Sequence, residues 1–240
     1  MNALWGTLRA AVPLIVHGNP FLLSIIWFTL QVAAVATGVA IVIGLPIGLV
    51  IGLGRFRGRR ILQIIANASL GLPPVLVGLF LLLLFVPQGP LGAWQLPITR
   101  RAVFIAQSVL ALPYVIALTA AAVQGLPPGL LAQARVLGAG RRAIYTLALR
   151  EARIGVIAGV IAALGTTLSE VGAIVVVGGN VYGYDQTLAS AALFEANAVH
   201  LTDAVAVGMV LIVMIMILMG GVGALQQWGG GIRLRFWAAT

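Results

Sequence analysis

Long runs of apolar residues make up most of the chain, and short polar or arginine-containing segments separate them. A helix needs about 20 consecutive apolar residues to cross the hydrocarbon core of a bilayer. By this criterion the pattern predicts five membrane spans. They cover residues 22–53, 61–86, 102–124, 152–177 and 203–225.

The amino-terminal segment does not meet this criterion. Its apolar stretch is short and interrupted, so residues 1–20 are predicted to form an external or interfacial segment. We find no strong repeat and no linker. The predicted fold is therefore all-α: one polytopic membrane helix bundle over residues 1–240, with about five transmembrane helices.

Composition strengthens the membrane assignment. The chain is 61% hydrophobic and 8% charged, with a mean hydropathy of +1.12. A soluble domain is about 45–50% apolar and about 25% charged. The net charge of +9 therefore indicates arginines anchored at the membrane surface, not a nucleic-acid-binding protein.

The distribution of arginines predicts the orientation. Eleven lie between spans one and two, between spans three and four, or after span five, whereas Arg9, Arg100 and Arg101 lie on the other side. Positively charged loops stay in the cytoplasm. The amino terminus is thus predicted outside and the carboxyl terminus inside. Arg100 and Arg101 are expected to anchor the external mouth of span three, with attraction of an anion as the alternative.

Several chemistries lack the residues they need. The sequence has no cysteine and no lysine, which excludes thiolate metal sites, a P-loop and Schiff bases. His17 and His200 are far apart and have no metalloprotease spacing. No Ser–His or paired-Asp arrangement lies in the spans. We therefore expect no catalytic residue, no metal site and no cofactor.

The segment 129–151 between spans three and four is polar and contains several arginines. Pro127 and Pro128 precede a helix-forming run, and Leu130, Ala134 and Leu137 are predicted to share one face. Gly138 and Gly140 are predicted to end that helix in a left-handed conformation. A second helix is predicted to start near Arg141 and to continue into span four. The residue pattern leaves two interpretations of this segment: it docks to another protein, or it lies on the lipid headgroups with its arginines binding phosphates.

The same segment resembles a known family. Its Ala-x-Ala-x-x-x-Gly pattern at 132–138 is similar to the cytoplasmic coupling loop of ABC importer permeases, which docks onto the ATP-hydrolysing subunit. The match is degenerate, because Gln133 stands inside the Glu-Ala-Ala triplet and the downstream Leu-Pro is replaced by Arg150 and Glu151. The first span (29–48) and the segment 70–79 are also similar to core helices of these permeases, and the similarity covers roughly residues 25–225. The resemblance assigns ATPase docking to Ala132, Gln133, Ala134, Leu137, Gly138, Ala139 and Arg141.

Within that family, LSEVGAIVVVGGN at 168–180 is most similar to the tungstate permeases, and more loosely to the molybdate permeases. The missing Leu-Pro and Val171 after the acid favour the tungstate branch. The resemblance implies four kinds of partner: a separate ATPase subunit, a periplasmic or lipid-anchored oxyanion-binding protein, a second copy of the chain, and membrane lipid. It places the protein in a prokaryotic inner membrane. Molybdate or another tetrahedral oxyanion remains the alternative substrate.

One acid, Glu170, lies within a predicted span. An ionisable group at a helix centre costs at least about 2.5 kcal/mol on insertion scales, so Glu170 is expected to face the bundle interior. Since a carboxylate repels an oxyanion, two roles remain open. It is either structural, accepting hydrogen bonds from a neighbouring span or pairing with an arginine, or it is held uncharged by a proton. Its neighbours Gly172, Gly178, Gly179 and Asn180 are candidates for a gate, or for plain packing and a helix end.

Two other function classes were weighed. A stand-alone channel or secondary carrier would need more intramembrane polar groups than Glu170 alone, and would have no use for a docking loop. An intramembrane enzyme would need catalytic groups that the spans lack. The sequence therefore predicts the membrane subunit of an ATP-driven importer that hydrolyses no ATP itself.

Overall fold

A computed structural model describes residues 20–230, with side chains as far as residue 224. The predicted interfacial segment at residues 1–19 lies outside the described residues. In the described part all regular structure is helical. The helices are α1 Pro20–Val39, α2 Leu45–Leu53, α3 Arg59–Ser69, α4 Pro74–Phe85, α5 Arg100–Gln124, α6 Leu130–Val136, α7 Arg141–Glu151, α8 Arg153–Ser169, α9 Gly172–Gly178, α10 Leu188–Asn197 and α11 Leu201–Gly230.

The five predicted spans correspond to three long helices and two broken ones. Pro20–Leu53, Arg100–Gln124 and Leu201–Ala224 are each long and apolar enough to cross a membrane. The first of these continues from α1 to α2 through a π-helical turn at Ala40–Gly44. The α3–α4 and α8–α9 pairs each make one further span if each pair is counted together. The prediction of five spans is confirmed on that count, but two of them are not the continuous helices expected.

Each break has a local cause. Pro73 is extended, and Pro74 occupies the first turn of α4, where a missing N–H costs nothing. Within the second broken span, the helix axis turns by 57° between α8 and α9. Glu170 and Val171 lie at that turn.

The chain forms two compact units. In the first (residues 20–36, 72–110 and 164–218), one buried cluster surrounds Phe85, Val103 and Ile174, and a second joins Leu22 and Ile25 to Leu188 and Val207. Short helix α9 packs closely on α4, because a Cβ on Gly78 would lie only 2.9 Å from the Cα of Ala173. Glycine thus lets the two backbones approach, as in other membrane helix pairs.

The second unit (residues 37–71, 111–163 and 219–230 of the described chain) contains a glycine ladder. Gly44, Gly48 and Gly52 recur every fourth residue. A Cβ on each would lie 2.7–3.2 Å from Val115, Thr119 and Val123 respectively, which recur at the same interval on α5. Because the rungs advance in the same direction on both helices, α2 and α5 run parallel. Spans one and three therefore cross in the same sense, as alternating spans require.

Candidate functional site

The polar segment at 130–151 folds as a helix, a tight turn and a second helix. Helix α6 begins after Gly129 and ends at Val136. Gly138 adopts φ +85°, its N–H donates to the Arg135 carbonyl at 3.0 Å, and the Ala139 N–H donates to the Ala134 carbonyl at 2.9 Å. This is a helix end closed by a left-handed glycine. The structure places that glycine where the sequence predicts it.

Two details of the predicted loop are wrong. Gly140 does not end a helix in the left-handed conformation; it is extended, at φ −71° and ψ 171°, and precedes α7. The helix that starts at Arg141 also does not run into the fourth span. It ends at Glu151, and α8 starts at Arg153 after an interruption at Ala152.

The exposed side of this loop differs from the predicted face. Leu130 and Ala134 are half-buried, and Leu131 packs against the core of its unit. Leu137 is 87% exposed because the helix has already ended, and Val136 is 88% exposed. Sequence reasoning missed Val136, for which periodicity gives no signal. We define five of the exposed residues as the coupling surface. It comprises Ala132, Gln133, Val136, Leu137 and Gly138.

The two remaining residues assigned to the loop lie beside that surface. Ala139 is half-buried and Arg141 is exposed. Both line a cavity of about 500 Å³ with Ile144 and Tyr145.

Glu170 lies between α8 and α9, not inside a continuous helix. Its Oε1 accepts a hydrogen bond from the Gly172 N–H at 2.7 Å and a longer one from the Ala173 N–H at 3.4 Å. These amides open α9, whose first N–H groups have no partner within the helix. The carboxylate therefore caps the start of α9. The bonds come from the adjoining helix, not from a neighbouring span as the structural interpretation expected.

The glycines after Glu170 lie at close approaches. A Cβ on Gly172 would lie 2.5 Å from Cγ2 of Val75, and one on Gly178 would lie 2.5 Å from Oδ2 of Asp185. Helix α9 then ends in two consecutive left-handed residues, Gly179 at φ +87° and Asn180 at φ +53°. A side chain at 172 or 178 would therefore force Val75 or Asp185, or α9 itself, to move.

Arg100 and Asp185 hold the segment that follows α9. The Nε–H of Arg100 donates to the Tyr184 carbonyl at 2.6 Å, and the guanidinium lies 4.9 Å from the ring centre of Phe28 and 5.1 Å from that of Tyr184. Asp185 is fully buried, and its Oδ1 accepts from the Val181 N–H at 2.5 Å. Sequence reasoning assigned Arg100 to anchoring or anion attraction. In the structure the Arg100 guanidinium lies over the rings of Phe28 and Tyr184, contacts that the sequence does not reveal because these residues are far apart in the chain.

Burial raises the pKa of the Asp185 carboxyl above its ordinary 3.8, although the backbone N–H groups of Val181 and Asp185 and the charge of Arg100 act in the opposite direction. The folded state therefore binds this proton more tightly than the unfolded chain. The resulting stabilisation is complete below pH 3.8 and is lost as the pH rises through the folded-state pKa.

We expect Asp185→Asn to remove this dependence, because the amide oxygen still accepts from Val181 but no charge forms. The variant should be more stable than the wild type at pH 7 and should show a flatter acid-range profile. Thermal unfolding in detergent between pH 4 and 8 measures this. Asp185→Ala, which lacks the acceptor, is the control and should be less stable. A wild-type pH profile in Asp185→Asn would contradict the assignment.

Other polar groups converge that no sequence pattern indicated. Glu195, His200 and Asp203 bring ligand atoms within 4.8 Å of one another, a grouping that a metal ion would fit. His200 Nδ1 lies 3.1 Å from Glu195 Oε2, across the turn from α10 to α11. The side chains of Gln107 and Gln186 are fully buried, and their amides have no hydrogen-bond partner within the described residues.

Comparison with known proteins shows a family match over most of the chain. Residues 44–228 match the family described as binding-protein-dependent transport system inner membrane component. A probable anion ABC transporter permease protein of Haloferax volcanii is 34% identical over 85% of this chain and 89% of the relative. The tungstate uptake system permease protein TupB of Peptoclostridium acidaminophilum is 29% identical over 91% and 96%. The molybdenum transport system permease protein ModB of Azotobacter vinelandii is 29% identical over 79% and 88%.

A solved structure shares the fold. One chain of the MetNI methionine ABC transporter, in an inward-facing crystal form, matches with a TM-score of 0.69 and 19% identity, over 88% of this chain and 97% of that one. The resemblance to importer permeases that the loop and the first spans indicated is therefore confirmed, as is the fold class.

Proposed function

Because the chain belongs to the family of binding-protein-dependent transport system inner membrane components, we propose that it forms the translocation path for an oxyanion, and that the oxyanion is tungstate. The relatives support the class, since they include an anion permease and tungstate and molybdenum permeases over most of the chain. The segment 168–180 favours tungstate over molybdate. Molybdate or another tetrahedral oxyanion is the alternative.

The coupling surface is the observation that carries the proposal. Val136 and Leu137 expose nearly all of their apolar surface at a turn that two backbone hydrogen bonds close. Exposed apolar patches mark contacts with a protein or a membrane, and the family of the chain favours a protein here. A separate ATPase subunit would bind there. ATP binding would move α6, and this movement would make the pathway face outward. A stand-alone channel or carrier would have no partner for this turn.

Glu170, Gly172, Gly178, Gly179 and Asn180 are proposed as the gate. The carboxylate would fix the start of α9, the glycines would hold α9 against its neighbours, and the left-handed pair would set its end. This gives Glu170 a structural role without direct contact with the anion, which avoids repulsion between like charges. A proton on Glu170 is the alternative that a Gln substitution tests.

The assembly is proposed to contain two copies of this chain, two ATPase subunits and an external oxyanion-binding protein, in a prokaryotic inner membrane. Five spans enclose a pathway poorly, and the last span, α11, leaves apolar side chains such as Ile212, Met216 and Ile217 exposed. A second copy and lipid would cover them. The arginine distribution supports an external amino terminus and a cytoplasmic carboxyl terminus. The whole chain would form one permease domain, and ATP hydrolysis would occur in the separate ATPase subunit.

The test is ATP hydrolysis by the chain co-purified with its ATPase and binding protein. We expect stimulation only by binding protein loaded with tungstate, with weaker stimulation by molybdate. If molybdate-loaded binding protein stimulates more strongly, the substrate is molybdate and the importer proposal still holds. If no ATPase associates, the importer proposal fails and the channel alternative takes its place.

A further inference from the structure

A cavity of about 420 Å³ lies beside α6 in the second unit. Three arginines line it: Arg55 follows α2, Arg59 begins α3, and Arg135 lies on α6. The lining contains no aspartate and no glutamate. Like charges near one another repel, so an anion bound among the three arginines would be favoured.

Arg59 is fixed in place. It is half-buried, and its Nε–H donates to the Ile51 carbonyl at 2.7 Å, with a longer contact at 3.3 Å from its terminal nitrogen to the Gly52 carbonyl. These carbonyls lie at the end of α2, where the helix dipole favours a cation. They hold the side chain but carry no net charge. The positive charge therefore remains for a ligand.

Two exposed arginines and an amide complete the lining. Arg55 and Arg135 are exposed, and neither has an ion pair within the described part of the chain. Gln124 also lines the cavity, and its Oε1 already accepts from Gln63 Nε2 at 3.0 Å, so its own NH₂ group remains as a donor. Each guanidinium presents a fork of N–H donors that suits the oxygens of a tetrahedral oxyanion, and the amide adds a further donor.

We propose that this cavity binds a multiply charged tetrahedral oxyanion between Arg55, Arg59 and Arg135. The oxyanion is either free in solution or the phosphate of an anionic lipid headgroup. Since Arg135 lies on α6 and Arg55 just beyond α2, the bound anion joins the coupling helix to the end of the first span. Occupancy therefore restrains α6.

The test compares Arg55→Gln with Arg57→Gln, which removes the same charge two residues away at an exposed position that does not line the cavity. In nanodiscs of neutral lipid, binding of tungstate, molybdate and phosphate to the full chain is measured by equilibrium dialysis. In nanodiscs containing phosphatidylglycerol, the lipid retained after detergent extraction is measured by mass spectrometry.

We expect Arg55→Gln to weaken the binding of either the free oxyanion or the lipid by about tenfold or more, because one charge-assisted hydrogen bond is lost. Arg57→Gln should match the wild type. Loss of free-anion binding identifies a soluble ligand, and loss of retained lipid identifies a headgroup. Arg55→Lys keeps the charge but not the fork, so an intermediate affinity is expected and separates binding from misfolding. If Arg55→Gln and Arg57→Gln behave alike in both arms, the proposal is wrong.

Discussion

Gly138→Val should reduce oxyanion uptake by at least about tenfold while the protein still inserts into the membrane. Gly138 has φ +85°, and a β-branched residue is least able to adopt that conformation. The strain, of order 1–3 kcal/mol, would open the turn and break the two hydrogen bonds that close α6. The coupling surface would then lose its shape, and ATP hydrolysis would no longer be coupled to transport. Uptake into proteoliposomes and ATP hydrolysis, measured together, test this.

Two nearby substitutions serve as controls. Gly140 is extended, and a Cβ there would meet nothing within 4 Å, so Gly140→Ala should transport at the wild-type rate. Gly138→Asn should recover part of the activity, since asparagine adopts the left-handed conformation more readily than valine. Normal coupled transport by an assembled Gly138→Val protein would show that the turn does not dock the ATPase.

Glu170→Ala should abolish most uptake and lower the unfolding temperature in detergent. The substitution leaves the part-buried Gly172 N–H without its acceptor, at a cost of at most about 1–3 kcal/mol. The charge that favours the start of α9 is also lost. Because α9 packs on α4 at Gly78, a loosened α9 would disturb the proposed gate. Uptake and thermal unfolding of the purified variant measure both effects.

Glu170→Gln distinguishes the two roles of this acid. If the carboxylate is ionised and caps α9, glutamine retains an acceptor but loses the charge, and we expect an intermediate loss of uptake and stability. If Glu170 carries a proton, glutamine reproduces its neutral form and the variant should match the wild type. Wild-type behaviour of Glu170→Ala would remove any role for the acid.

The sequence predicts the spans and the coupling turn because each depends on local chemistry. A long run of apolar residues favours a membrane helix, and Gly138 stops the short helix that begins at Leu130. The helix face of Leu137 was predicted wrongly for a reason of the same kind. Its spacing from Leu130 and Ala134 places it on their face only if the helix continues, and the helix ends one residue earlier.

The helix break at Glu170 and the arginine cavity could not be predicted in this way. The sequence singles out Glu170 as an acid within a span but places it in a continuous helix, because the break depends on its side chain accepting the hydrogen bond of the Gly172 N–H in place of a backbone carbonyl. Arg55 and Arg135 are 80 positions apart in the chain. Only the packing of α2 against α5 brings their segments to one cavity, and that packing depends on glycines whose purpose no single position reveals.

The glycine ladder has a consequence for how this protein can change over time. At each rung the space is one volume divided between two positions, Gly48 and Thr119 for example, at a constant separation along the chain. A larger residue on one helix is acceptable only with a smaller one opposite. Substitutions at these rungs must therefore accumulate in pairs. The ladder would appear in an alignment of relatives as covariation of size, even where neither residue is itself conserved.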